Sequence, residues 1–524
     1  IAMVSEFQEG SASLLQKTTS RERRNSCRSF TSEASSCLIS LPSANVSSWI
    51  MCCNMILSIT GSAVLGVGAQ MKTLGWVITP IMLFIGAGMT SEMVWLVSCT
   101  CDKIEESGEG TIVTYQDFSE RSLGRPGWWA SAVSSTLALV GMIIGGLVLE
   151  ADNLNIIFPI HLQWPFGGDH SDDGRKWWAL LMSVTTLVYC LVEVGNLLHG
   201  SGRIGIVLTV LCMVLVYSGT FGQLGSLGDF HTACMDGMDM PYRSLGINPG
   251  VGSGLEFERF MDVFSVSSYM IFIFAIVVTL PTLRSTMASK KSLTTVSAIS
   301  FFIVALEFFV IMMISYYVFG NLGPQNVLDG MRTGRKAVPG WWARTDPWAV
   351  GRATWVAKVL GICMTLHLLC SDAIYVPVTV KAIEALLPKP IAATRSAWLC
   401  LRFGITVLRF LFAVVIRDFV KMNSLTSAAF VTMNNICLPI LAFYSAGPHE
   451  KTGPVRKVMH GVIFAVGCLN MLFGTISAVQ GLVQDSNQHE VFPRPDATPE
   501  CQSAYCMSNP LAHVCKSISE SEIH

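Results

Sequence analysis

The stretch WIMCCNMILSITGSAVLGVGAQMKTLGW, Trp49 to Trp76, decides the fold. About 20 apolar residues rising 1.5 Å each cross the hydrocarbon of a bilayer, and this run is longer than that. Its middle is crowded with small residues: Gly61, Ser62, Ala63, Gly66 and Gly68. At that depth small residues have two uses. They let a neighbouring helix approach closely, or they let the helix break where its backbone N–H and C=O groups line a polar cavity. Composition alone leaves both open.

Outward from this stretch the chain stays apolar. Hydrophobic residues make up 51% of the 524 and charged residues 14%, with a mean hydropathy of +0.51. Soluble domains carry roughly a quarter charged residues, so this is a polytopic membrane protein whose constant partner is the lipid bilayer. A formal net charge of −1 supplies no field for nucleic acid. Further apolar runs lie at Gly75–Ser98, Trp128–Leu149, Trp177–Leu197, Ile204–Gly222, Met261–Pro281, Val296–Gly320, Ala353–Pro377, Ala397–Ile416, Leu425–Ala446 and Val458–Val483. With the first they make eleven expected spans and an all-α fold.

Residues 1–44 hold eleven serines and the cluster Arg21, Arg23, Arg24, Arg28, a composition that buries no core and predicts a disordered cytosolic tail. The membrane domain then covers 45–483, and the polar, proline-bearing 484–524 is expected to be a mobile tail. The distribution of Lys and Arg favours an N-terminus inside and a C-terminus outside. That topology leaves the sequon Asn45-Val46-Ser47 unmodified. Most of the seventeen cysteines sit in apolar runs as small hydrophobes. Cys234, Cys501, Cys506 and Cys515 fall on the non-cytosolic side, where paired and reduced states are both open.

Charges within spans are costly and count as functional by default. Lys358, Thr365 and Asp372 recur every seven residues on one face of the eighth span, and Arg395, Arg402 and Arg409 do the same in the ninth. Lys358 and Arg395 are placed to snorkel. Glu307, midway along the seventh span, is expected to pair with a ninth-span arginine or to carry a proton; Glu92 and Glu193 lie nearer the inner ends.

Several motifs then fall in order. Asn54, Gly61, Leu65, Lys72, Gly75 and Trp76 open the series, followed by TYQDFSERSLGRPGWW, by Asp152-Asn153-Leu154-Asn155 with Phe158-Pro159, by TLPTLRSTM, and by DFVKMNSLTSAAFVTMNNICLPILAFY in the tenth span. Over residues 49–483 the chain resembles the amino acid/auxin permease family. It departs from the family pattern at Ala63 and Gly68, and in lacking glycine across Phe274 to Pro281.

The resemblance implies a five-plus-five inverted-repeat fold with spans one and six broken. It also implies secondary active transport of amino acids by alternating access, coupled to protons or sodium, across the plasma or a vacuolar/lysosomal-type membrane. Free N–H groups beyond Gly61 would take the substrate carboxylate and carbonyls at both breaks its ammonium. The substrate residues so implied are Gly61, Ser62, Ala63 and Leu65 with Phe274, Ala275 and Thr279. Thr365 and Ser371 would serve a sodium site between spans one and eight, and Asp372, Glu307, Arg402 and Arg409 ion or proton coupling. No cofactor beyond H+ or Na+ is implied, and no phosphate loop, HExxH or nucleophile elbow marks an enzyme or metal site. The alternative within the same fold is an amino-acid sensor that binds without net transport.

Overall fold

The computed structural model describes residues 46–108, 110–160, 162–165, 173–191, 194–222, 256–319, 326–331, 355–384, 386–387, 394–416 and 419–483. Both tails, Glu193, Cys234, Cys501, Cys506, Cys515 and Asn45 lie outside them. The regular secondary structure of the described residues is helical, apart from one isolated bridge between Val46 and Met287.

The first span is two pieces. Helix α1, Ser48–Thr60, starts where the Ser47 hydroxyl accepts the Ile50 N–H at 3.3 Å, and it stops at Gly61. Two short 3-10 turns, Ser62–Leu65 and Val67–Gln70, carry the chain into α2, Met71–Glu106. Within α2 Gly75 takes φ +76°, a left-handed conformation that glycine adopts without cost, so the first span ends there and the second begins at Trp76. Helix α3, Tyr115–Ile157, is capped by Thr114 and turns in the same way at Gly124, φ +71°. Helices α4, Asp173–Leu191, and α5, Val194–Phe221, follow.

The sixth span repeats the interruption. Helix α6, Glu256–Ile273, gives way to a turn and a 3-10 segment, Val277–Thr279, before α7, Leu280–Thr286. The remaining spans are α8, Leu293–Phe319; α9, Trp355–Glu384; α10, Arg395–Val415; α11 and α12, Phe419–Thr426 and Leu438–Ala446, joined through π-helical turns; and α13 and α14, Pro454–Leu469 and Thr475–Val483.

Among the described residues nine helices are long and apolar enough to cross a membrane; the half-helix α1 and the helix α4 complete the eleven expected spans. Helices α3 and α9 are mostly buried and pack on each other, with α5 against α9 and α1. Two glycines permit close approaches in this packing: a Cβ on Gly205 would stand 2.5 Å from Leu57, and one on Gly361 2.2 Å from Ile157. The outer surface carries Val184, Val207, Phe302, Phe403 and Val462, all exposed, as a lipid-facing shell requires.

Candidate functional site

The two breaks face each other at the centre, each braced by side chains from other spans. At the first, the Leu57 carbonyl accepts the Gly61 N–H and the Ser371 hydroxyl, both at 3.2 Å. Tyr375 donates to the Ser58 carbonyl at 3.0 Å, and Tyr269 of α6 to the Ala63 carbonyl at 3.2 Å. The Leu57 and Ala63 carbonyls keep backbone partners, the Gly61 and Gly66 N–H groups; hydroxyls of α6 and α9 add a second bond to each, and the Tyr375 hydroxyl braces the Ser58 carbonyl between them. At the second break the Phe274 carbonyl accepts from Asn435 Nδ2 at 3.0 Å, out of the π-helical turn Met433–Cys437. This unwinding needs no glycine, because Ile276 and Thr279 keep negative φ, −107° and −88°.

Between the breaks lies a cavity of about 40 Å³. At roughly 10–15 Å³ per water it has room for a few waters and is too small for a whole amino acid. Its polar wall is Ser58, Gly61, Ser371, Asp372 and Tyr375; its apolar wall includes Ile59, Met142, Phe272, Ile273 and Leu368.

Of the residues expected from sequence, Gly61, Ala63, Ala275, Ser371 and Asp372 meet at this cavity. Ser62 gives its backbone to the 3-10 turn, and its side chain lies outside what is described. Leu65 is in the core. Phe274 does not shape the pocket: the turn swings its ring onto Phe301 of α8, centroids 5.8 Å apart, and Phe272 and Ile273 take the wall instead. Thr279 spends its hydroxyl on the Ile276 carbonyl at 2.8 Å, and Thr365 on the Gly361 carbonyl at 2.9 Å, one turn back in each case. Neither reaches the cavity wall.

The charges are distributed differently from the expected pairing. Arg402 donates to Glu384 at 2.7 Å and to the Cys190 carbonyl at 2.8 Å, and it stacks on Trp398. Arg409 is buried and forms an ion pair of 2.6 Å with Asp372. Glu307 thus meets neither arginine; it stands beside Thr60, the last residue of α1. Glu92 is held by Arg456 at 2.6 Å and His460 at 2.8 Å. Lys358 and Arg395 are exposed. A carboxylate that sequence reasoning passed over, Glu150 of α3, lies 3.8 Å from Arg409, fully buried. It closes an apolar run, where a carboxylate reads as a helix end rather than as a partner for a charge six spans further along the chain. Tyr375 was equally legible in principle, standing one turn beyond Ser371.

Residues 44–480 match the family model described as transmembrane amino acid transporter protein. The chain is similar to the amino acid transporter AVT1I of Arabidopsis thaliana, 24% identical over 272 residues that cover 52% of this chain and 59% of that protein. Among solved structures it is similar to MhsT in complex with L-phenylalanine, with 12% identity and a TM-score of 0.53 over 82% of this chain and 98% of the other. It is also similar to the Eremococcus coleocola manganese transporter in complex with an aromatic bis-isothiourea substituted compound, with 13% identity and a TM-score of 0.51 over 93% and 97%. At such identities the likeness shows the fold. The transporter architecture expected from the broken first and sixth spans is the one observed.

Proposed function

The chain belongs to the family of transmembrane amino acid transporter proteins, and from that premise we propose that it moves an amino acid across its membrane by alternating access, driven by a proton or sodium gradient. The observation that carries this reading is the meeting of two interrupted spans at one internal cavity. Backbone N–H groups past Gly61 suit a carboxylate, while the Ser58 carbonyl and Asp372 suit an ammonium. The apolar wall of Ile59, Met142, Phe272, Ile273 and Leu368 favours a neutral, apolar side chain. Since the cavity as it stands holds only a few waters, loading requires the bundle to open first.

The test is uptake of a radiolabelled amino-acid mixture into proteoliposomes, with proton and sodium gradients imposed separately. Uptake driven by one gradient and lost in Gly61→Trp supports the reading. That substitution fills the cavity, since even a Cβ at Gly61 meets the Ser58 carbonyl at 3.3 Å and Ser371 Oγ at 3.7 Å. Binding without uptake under either gradient would make the protein a sensor of the same fold.

A further inference from the structure

Resting on the transport reading above, we propose that Glu150 binds and releases the coupling proton, and that Arg409 relays its charge state to Asp372 at the cavity wall. Glu150 and Arg409 are both buried. The Arg409 guanidinium donates to the Ile143 carbonyl and to the Thr186 hydroxyl, and its remaining Nη2 lies 2.6 Å from Asp372 and 3.8 Å from Glu150. Two carboxylates therefore share one cation, and the division is unequal. Asp372 has the close ion pair, made by charge and proximity rather than by an aligned hydrogen bond, and faces the cavity, while among the described residues neither Glu150 oxygen has a hydrogen-bond partner.

Among the described residues the titratable groups around Glu150 are Asp372 of α9, Arg409 of α10 and Tyr189 of α4. With both carboxylates ionised, the buried group of three carries a net negative charge, a state that burial disfavours. A proton added to one Glu150 oxygen brings the sum to zero. When that proton leaves from the same oxygen, Glu150 competes with Asp372 for the guanidinium and loosens Asp372 at the cavity. The Glu150 O–H bond is the only covalent bond made or broken, and the proton is taken from and returned to solvent water admitted to the cavity when the bundle opens. The route passes Asp372, the member of the three that faces the cavity.

The experiment compares the full-length protein and Glu150→Gln in liposomes, using the radiolabelled amino-acid mixture as probe. Two readouts are taken: exchange of label against unlabelled mixture with no gradient, and accumulation under an imposed pH gradient. The wild-type protein is expected to do both. E150Q, which cannot cycle a proton, should fall to the level of protein-free liposomes under the pH gradient while still exchanging label at a measurable rate. Accumulation by E150Q under the pH gradient would overturn the proposal, as would wild-type uptake driven by sodium and indifferent to pH, which leaves transport standing. Absence of exchange in the wild-type protein would overturn transport itself, and the proton site with it. Should E150Q not fold, Glu150→Asp keeps a titratable group one methylene further from Arg409. It is expected to displace the pH profile of uptake, and an unmoved profile would overturn the proposal.

Discussion

Arg409 shows what a single residue can hold in place. Replacing it with methionine keeps the stem and removes the cation, leaving Asp372 and Glu150 as buried charges without compensation. Breaking a buried pair in this way costs about 3–5 kcal/mol. Thermal unfolding of Arg409→Met in detergent should show that loss, with part of it recovered in the double variant Arg409→Met, Asp372→Asn. Arg402→Met is expected to cost roughly 1 kcal/mol, because its partner Glu384 is partly solvated. Both arginines and Asp372 were legible in the sequence, since charges spaced by sevens inside apolar spans demand partners. Which partner each finds depends on packing between distant spans, so Glu150 gives no sign of its role in the sequence, and of the two roles expected of Glu307 the pairing with a ninth-span arginine is not the one the structure makes. Phe274 failed for a related reason, as a turn of unknown hand does not say which of three consecutive apolar side chains enters the cavity.

At the scale of elements, the small residues of the first span allow a break without requiring one, the family resemblance implies both breaks, and the second break carries no local mark of its own. It is imposed from outside, by 3-10 geometry and by the Asn435 amide that satisfies the Phe274 carbonyl. Asn435→Ala leaves that buried carbonyl with the Ile276 N–H, 2.8 Å away, as its remaining donor, a loss of about 1 kcal/mol. The thermal midpoint should fall, and uptake should fall further than the remaining folded fraction explains. Close helix approach makes a second prediction. Gly205→Val drives a branched side chain into Leu57 at the end of α1, and overpacking of this kind costs about 1–3 kcal/mol. Gly404, with open space around its Cβ, should accept alanine with little change in the same melting assay.

Across the whole molecule, one face is closed by charge and backbone together. Arg284 at the end of α7 donates to Glu105 at 2.7 Å and pairs with Asp102, both at the end of α2, and Lys290 joins Glu105 at 3.1 Å. Val46 and Met287 bind the start of the first span to the end of the sixth, through Val46 N to the Thr286 carbonyl at 3.2 Å and Ala288 N to the Val46 carbonyl at 3.0 Å. Arg284→Ala should loosen this closure. A cysteine placed at Thr286, now buried, is expected to react faster with a membrane-impermeant thiol reagent in the Arg284→Ala background than in the wild-type one. Equal rates would show that the backbone bridge alone suffices. The number and order of spans were visible in the sequence because hydropathy is local; this closure was not, since its members come from three separate segments. That separation also matters for biosynthesis. The first span enters the membrane long before Met287, Ser371 and Tyr375 have been made, and at ~5–20 residues per second the wait is on the order of tens of seconds. Through that interval the ribosome holds a half-built helix whose broken backbone has none of its later braces, so a chain arrested before the eighth span is the one that quality control should recognise first.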